Sequence, residues 1–175
     1  MRSYLRLLWI SIRAFFRSKN IEFSEESVLK FIILPWDCVL RMAGNDIYHT
    51  FMDLGRIDLV IRQGLGVQLL KRKWELFVLT AHISYRYSLK MFDSFTLRTR
   101  LIYWDKYSFL LEHVFERGGR IIATAVSKNV ATYKNGLVKT SAILSLLKKS
   151  VPNPFYTETV KVVSETEALL RHLRR

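Results

Sequence analysis

Hydrophobic and polar positions along this chain change period several times, and each change marks an element. In the first nineteen residues Leu5, Leu8, Ile12, Phe15 and Phe16 recur at helical spacing. At 100° per residue Arg2, Arg6, Arg13 and Arg17 fall in a sector roughly 60° wide on the other side. Ser24-Glu25-Glu26-Ser27 interrupts this pattern. Val28 to Leu34 is then an apolar run rich in strand formers, stopped by Pro35. Asp46 to Leu65 is predicted as one helix, ended by Gly64 and Gly66. Its apolar residues, from Ile47 and Phe51 through Ile57 to Val60 and Ile61, cover most of the circumference. Such a helix is expected to be buried almost all round.

The material to wrap it follows. Trp74 to Leu89 reads as a long strand. Phe95, Leu97, Leu101 and Tyr103 alternate with Thr96, Arg98 and Arg100, the pattern of a half-buried strand. Tyr107 to Phe115 is another strand, closed by the hairpin signal Arg117-Gly118-Gly119-Arg120. Ile121 to Tyr133 is the last long strand, ended at Asn135-Gly136. Thr140 to Lys149 reads as a short helix, Pro152-Asn153-Pro154 as a break, and Ser164 to Arg174 as a terminal helix. Consecutive strands with short links pair antiparallel. The order predicts an α+β fold in which an antiparallel sheet wraps around a long central helix, with an N-terminal amphipathic helix before it. Two parts follow: residues 1–23, the basic amphipathic helix, and residues 24–175, one domain carrying its C-terminal helices.

Charge adds a partner class. The 28 Lys and Arg against 15 Asp and Glu give a net charge of +13. That favours anions: phospholipid, nucleic acid, or a phosphorylated molecule such as coenzyme A. Nucleic acid is the weakest of these, because much of the excess lies in the first twenty residues and at the C-terminus, not in one element interleaved with aromatics. The apolar run Leu7–Ile12 is too short to span a bilayer, and Arg13 and Arg17 interrupt any signal peptide. An interfacial helix on an anionic membrane surface fits the pattern; so does a helix docked on its own domain with its arginines in solvent. The protein is expected in the cytoplasm, with the inner membrane face as a peripheral station. A single cysteine, Cys38, excludes an internal disulfide and reads as a small buried apolar residue. The four histidines have no metal-ligand spacing, so neither a metal nor a resident cofactor is expected.

The chemistry concentrates in Pro35-Trp36-Asp37-Cys38-Val39-Leu40, then Asn45-Asp46-Ile47-Tyr48-His49. A strand end, a polar turn and a helix N-terminus bring a carboxylate, an amide and exposed N–H groups together, which suits an oxyanion or an acyl group. Asp37 could act as a base or simply close the turn. Asn45 could orient a water or a carbonyl, cap the helix, or both. Asp46 favours the helix dipole. His49 could take a proton or serve structure alone. Arg86 and Arg100 could meet phosphate or stand solvated on their strands, and the Phe51–Met52 stripe reads as core.

These residues carry a resemblance. Pro35-x-Asp37-Cys38, Asn45, Tyr48, Met52-Asp53-Leu54-Gly55-Arg56, Arg86-x-Ser88-Leu89, Phe95-x-Leu97-Arg98-Thr99-Arg100 and Trp104-Asp105 resemble the hot-dog thioesterase superfamily. Within it the likeness is to the group around thioesterase superfamily member 6 and its bacterial relatives, over about residues 28–135. The resemblance implies a homodimer joined edge to edge, with an acyl-CoA or other acyl thioester bound near the helix N-terminus. With the convergence at the turn, the candidate catalytic residues are Asp37, Asn45 and His49, and the candidate substrate contacts are Tyr48, Met52 and Arg86. One departure bears on activity. The family pattern runs Pro-x-Asp-x-Asp and then His-Met-Asn-Asn. This chain has Val39 at the second aspartate and Ala43-Gly44-Asn45 in the later stretch, one residue short. Where that aspartate is nucleophile or base, Val39 can be neither. Two functions are therefore carried forward: an acyl-CoA thioesterase, and an acyl- or lipid-binding protein that has lost hydrolysis.

Overall fold

The computed structural model describes residues 25–134, 136–147, 160–163 and 165–166. The N-terminal helix expected over residues 1–19, the proline break at 152–154 and most of the terminal helix expected over 164–174 lie outside them. So does Asn135.

Five long or medium strands build one antiparallel sheet: β1 (Ser27–Ile32), β4 (Glu75–Tyr85), β5 (Ser94–Trp104), β6 (Ser108–Arg117) and β7 (Arg120–Tyr133). Their order across the sheet is β1-β5-β6-β7-β4, and a short sixth strand, β8 (Gly136–Leu137), extends β7. Between β1 and β4 lie a small hairpin, β2 (Cys38–Val39) with β3 (Met42–Ala43), and two helices, α1 (Asn45–Arg62) and α2 (Gly66–Arg72). α3 (Thr140–Leu144) follows β8. The sheet curls about α1, as the succession of apolar periods predicts.

Local chemistry sets the turns. Gly118 and Gly119 both have positive φ, 54° and 76°, the primed turn that matches strand twist in a two-residue hairpin. Between β5 and β6 the Asp105 carboxylate accepts the Tyr107 and Ser108 N–H groups at 2.8 and 2.7 Å, closing an Asx turn.

α1 sits on an aromatic floor. Phe51 meets Phe31 and Phe95 with ring centroids 4.7 and 4.9 Å apart, and Tyr48 meets Phe115 at 5.2 Å. Further along, Gly55 lets the helix approach β5: a Cβ there would stand 2.3 Å from Thr99 Oγ1. The helix is not buried all round, however. Ile47, Tyr48, Phe51, Met52, Leu54, Gly55, Asp58 and Leu59 form one buried stripe, while Asn45, Asp46, His49 and Asp53 are exposed and Ile57, Val60 and Ile61 are half-buried. One curled sheet covers only the side of the helix that it faces.

Three further differences have local causes. α2 fills a stretch to which the sequence assigns no element: Gly64, at φ 78°, ends α1, and Leu65 and Leu69, four residues apart, then anchor a new turn of helix in a second core cluster. In β5 a register shift between Leu101 and Tyr103 turns the alternation, so that Trp104 is buried and Tyr103 only half-buried. β4 stops at Tyr85, four residues before Leu89. On the outer face of the sheet Val160 and Val163, from a helical turn, bury Leu110.

Candidate active site

The turn ahead of α1 is built by its own residues. Pro35 opens a 3-10 turn at Pro35–Asp37. Asp37 closes it twice: its N–H donates to the Leu34 carbonyl at 2.9 Å, and its Oδ2 accepts the Leu34 N–H at 2.8 Å. The Asp37 carbonyl then accepts the Gly44 N–H at 3.1 Å, tying the turn to the start of the helix. Asp37 is buried, and its carboxylate serves the turn. Cys38 is half-buried, and desolvation, with the neighbouring Asp37 charge second, pushes its thiol above the ordinary value. It therefore stays protonated near neutral pH, which disfavours a thiolate nucleophile. Val39 stands on the small hairpin and is 68% exposed.

At the helix start the cap is Gly44, not Asn45, and among the described residues no side-chain cap hydrogen bond forms there. Asn45 and Asp46 occupy the first turn and are exposed. His49, one turn on, is exposed as well, so Asn45 and His49 lie on the same open face at i and i+4. The macrodipole places partial positive charge at this end, with Asp46 partly complementing it. An oxygen carrying developing negative charge would find N–H groups there.

The three residues expected to contact substrate separate. Tyr48 and Met52 are both buried in the core beneath the helix. The Tyr48 Oη accepts the Leu89 N–H at 3.4 Å, its ring packs edge-on to Tyr85 at 5.0 Å, and burial raises its pKa. Both are wall, not surface, because α1 turns its apolar stripe toward the sheet. Arg86 is exposed just past the end of β4, its N–H donating to the Ile122 carbonyl at 2.8 Å. The Tyr48–Tyr85 contact brings that strand end to the first turns of α1. Asp37, Asn45, His49 and Arg86 thus share one end of the molecule.

A polar network escaped the sequence analysis. Arg56 reaches from α1 to Asn129, donating to Oδ1 at 2.8 Å, and to the Asp53 carboxylate at 2.8 Å. Asn129 Nδ2 donates to Ser127 Oγ at 3.0 Å; Ser127 Oγ lies 3.0 Å from His113 Nε2; His113 Nδ1 lies 3.1 Å from Thr99 Oγ1. Burial, then the Arg56 charge, lowers the His113 pKa to about 3, so the ring is neutral at physiological pH. Beside it Ser27 Oγ donates to Asp58 Oδ2 at 2.5 Å. The signal was available: Thr99, His113 and Ser127 all fall on the inward parity of their strands. The network explains why Asp53, Gly55 and Arg56 occur together. Gly55 allows close approach, and Arg56 locks the helix to the sheet at that point.

A family model described as the thioesterase-like superfamily matches residues 34–152, which takes in the turn, α1 and β4 to β8. The chain belongs to this superfamily. Among curated proteins, the superfamily member is similar to protein THEM6 of Danio rerio, 33% identical over 113 residues. That match covers 64% of this chain and 56% of the relative, so the chain spans little more than half that protein's length. Among solved structures it is similar to a variant of 4-hydroxybenzoyl-CoA thioesterase complexed with 4-hydroxybenzoyl-CoA. The identity there is 18% and the TM-score 0.64, over 70% of this chain and 99% of that one. A gentisyl-coenzyme A thioesterase is 22% identical with TM-score 0.63, over 68% of this chain and 99% of that one. These structures share the fold: the curled antiparallel sheet around one long helix is that of the hot-dog thioesterases. Among the described residues no three of His, Cys, Asp and Glu converge as metal ligands.

Proposed function

We propose that the protein acts on acyl-CoA or a related acyl thioester at the turn between Asp37 and His49. The observation that carries this reading is the start of α1: an 18-residue helix whose N-cap, Gly44, makes no side-chain cap hydrogen bond among the described residues, with Asn45 and His49 on its open face. In hydrolysis the helix N–H groups polarise the thioester carbonyl, and Asn45 orients that carbonyl or the water. His49, or Asp37, takes the proton as the water oxygen attacks the carbonyl carbon. The C–S bond then breaks, and the proton passes to the departing thiolate. Arg86, exposed just past the end of β4, meets a phosphate of the substrate. CoA thioesters bound or named in structures of the same fold support the choice of substrate class.

A second reading, acyl binding without hydrolysis, is favoured by one observation: the Asp37 carboxylate is engaged by the Leu34 N–H, while the resemblance puts Val39 where an acid is expected. Steady-state hydrolysis of acyl-CoA esters, short to long, with a thiol-detecting reagent separates the two. Turnover supports the first reading and saturable binding without turnover the second. Under the first, Asn45→Ala lowers kcat at least tenfold, since one lost polarising contact costs about 10²–10³ in rate. The site is misplaced if wild type turns over and Asp37→Ala, Asn45→Ala and His49→Ala all retain full activity.

The reading includes a homodimer joined through β4. Among the described residues that strand pairs only with β7; it runs eleven residues and exposes Phe77 and Leu79. A long apolar edge of this kind is an open pairing template. It also includes a station at an anionic membrane surface through the basic residues before position 24. None of the described helices is long and apolar enough to cross a membrane.

A further inference from the structure

Two loops at the α1 end of the sheet hold large apolar side chains in solvent, in a backbone conformation such residues avoid. Leu40, at the tip of the β2–β3 hairpin, has φ 62° and is 90% exposed; Phe92, after the isolated bridge at Lys90, has φ 67° and is 66% exposed. Positive φ is rare outside glycine, and Asn and Asp tolerate it far better than bulky residues do. Burial cannot be what selects Leu and Phe at these positions. The loops are one body: Met42 bridges to Lys90, the Met91 N–H donates to the Arg41 carbonyl at 3.2 Å, and the Ala43 N–H donates to the Leu89 carbonyl at 2.8 Å. Arg41 and Lys90 are exposed beside the two tips. The nearby acids are turned to local work. Asp93 is held by Arg117 and by the Lys90 N–H, and Asp46 folds back over Gly44.

We propose that these paired tips dock on an anionic phospholipid surface, Leu40 and Phe92 entering the acyl boundary while Arg41 and Lys90 meet lipid phosphates. Convex apolar knobs flanked by cations suit a deformable apolar phase under a negative headgroup layer. The net charge of +13 adds long-range attraction of the same sign. A second copy fits less well, because a two-fold contact centred on the tips would set Arg41 and Lys90 against their own counterparts. The inference is independent of the thioester chemistry, so vesicle binding and turnover fail separately.

The test is sedimentation of the full chain with phosphatidylcholine vesicles, with and without phosphatidylserine. Asparagine accepts the left-handed conformation, so Leu40→Asn and Phe92→Asn leave the unfolding temperature unchanged or raised. Each weakens binding to the anionic vesicles about tenfold. Arg41→Gln and Lys90→Gln each weaken it roughly fivefold. Should Phe92→Asn fail to fold, Leu40→Gly, where glycine takes the same φ, carries the test. The proposal is overturned if the full chain ignores the anionic vesicles, or if the Leu40→Asn/Phe92→Asn chain binds them like wild type. It is also overturned if that chain loses a dimer by light scattering while its vesicle binding holds.

Discussion

Single residues in this protein do work that their type alone does not reveal. Asp37, a candidate base in the sequence, closes a turn in the fold, where its carboxylate accepts the Leu34 N–H. His49 looked ambiguous and stands on an open helix face, whereas His113, unremarked in the sequence, is wholly buried between Thr99 and Ser127. His113 carries a pH prediction. Its ordinary pKa of 6.5 falls to about 3 on folding, so the folded state favours the neutral ring. That contribution is full above pH 6.5 and is lost as the pH falls toward 3, by about 1.4 kcal/mol per pH unit. Urea unfolding between pH 7 and 4 should show the extra slope in wild type and lose it in His113→Gln. Equal slopes in the two chains would remove His113 from the acid response.

At the scale of elements the hydrophobic periods were informative and the boundaries less so. Four long strands follow α1 as expected, with β4 ending short at Tyr85; in β5 alternation marked the strand, because a pleated strand with one face in a core must alternate. α2 was missed because seven residues between two glycines and a strand carry too little periodicity to separate helix from loop. β4 leads to a test. Its exposed Phe77 and Leu79 stand on an edge, and on the same strand His82 Nε2 is buried with no hydrogen-bond partner among the described residues. All three are accounted for if a second β4 pairs alongside. Light scattering should give a dimer for wild type and a monomer for Phe77→Glu/Leu79→Lys, with circular dichroism unchanged. A monomeric wild type at micromolar concentration would remove the edge-to-edge assembly.

For the whole molecule, charge and shape are the properties that matter. An excess of 13 positive charges cannot be read as a fold determinant, but it sets which surfaces the protein approaches. The sequence spaces Arg2, Arg6, Arg13 and Arg17 so that a helix would carry them in one sector, and each basic residue near an anionic surface is worth about 1 kcal/mol. Reversing all four to glutamate should lower affinity for anionic vesicles more than a hundredfold. Raised salt should weaken wild type in the same direction. If the reversed chain binds as wild type does, the N-terminal segment has no part in docking and any residual binding belongs elsewhere.

The sequence by itself determined the class of fold, the order of the long elements and the antiparallel pairing, and it singled out the turn before α1 as the candidate site. Those follow from local periods, from Gly118-Gly119, from Pro35 and from the residues of Met52–Arg56. Only the tertiary structure decided which face of α1 is buried, that Gly44 and not Asn45 caps it, and that Tyr48 and Met52 are core. It also decided that Thr99, His113, Ser127, Asn129 and Arg56 form one chain of hydrogen bonds. The physical reason is range. Hydrophobic period and turn geometry act over a few residues and leave a trace in the string of letters. Helix rotation and a hydrogen bond between residues 73 apart, as from Arg56 to Asn129, depend on how the sheet curls, and no local pattern encodes that curvature.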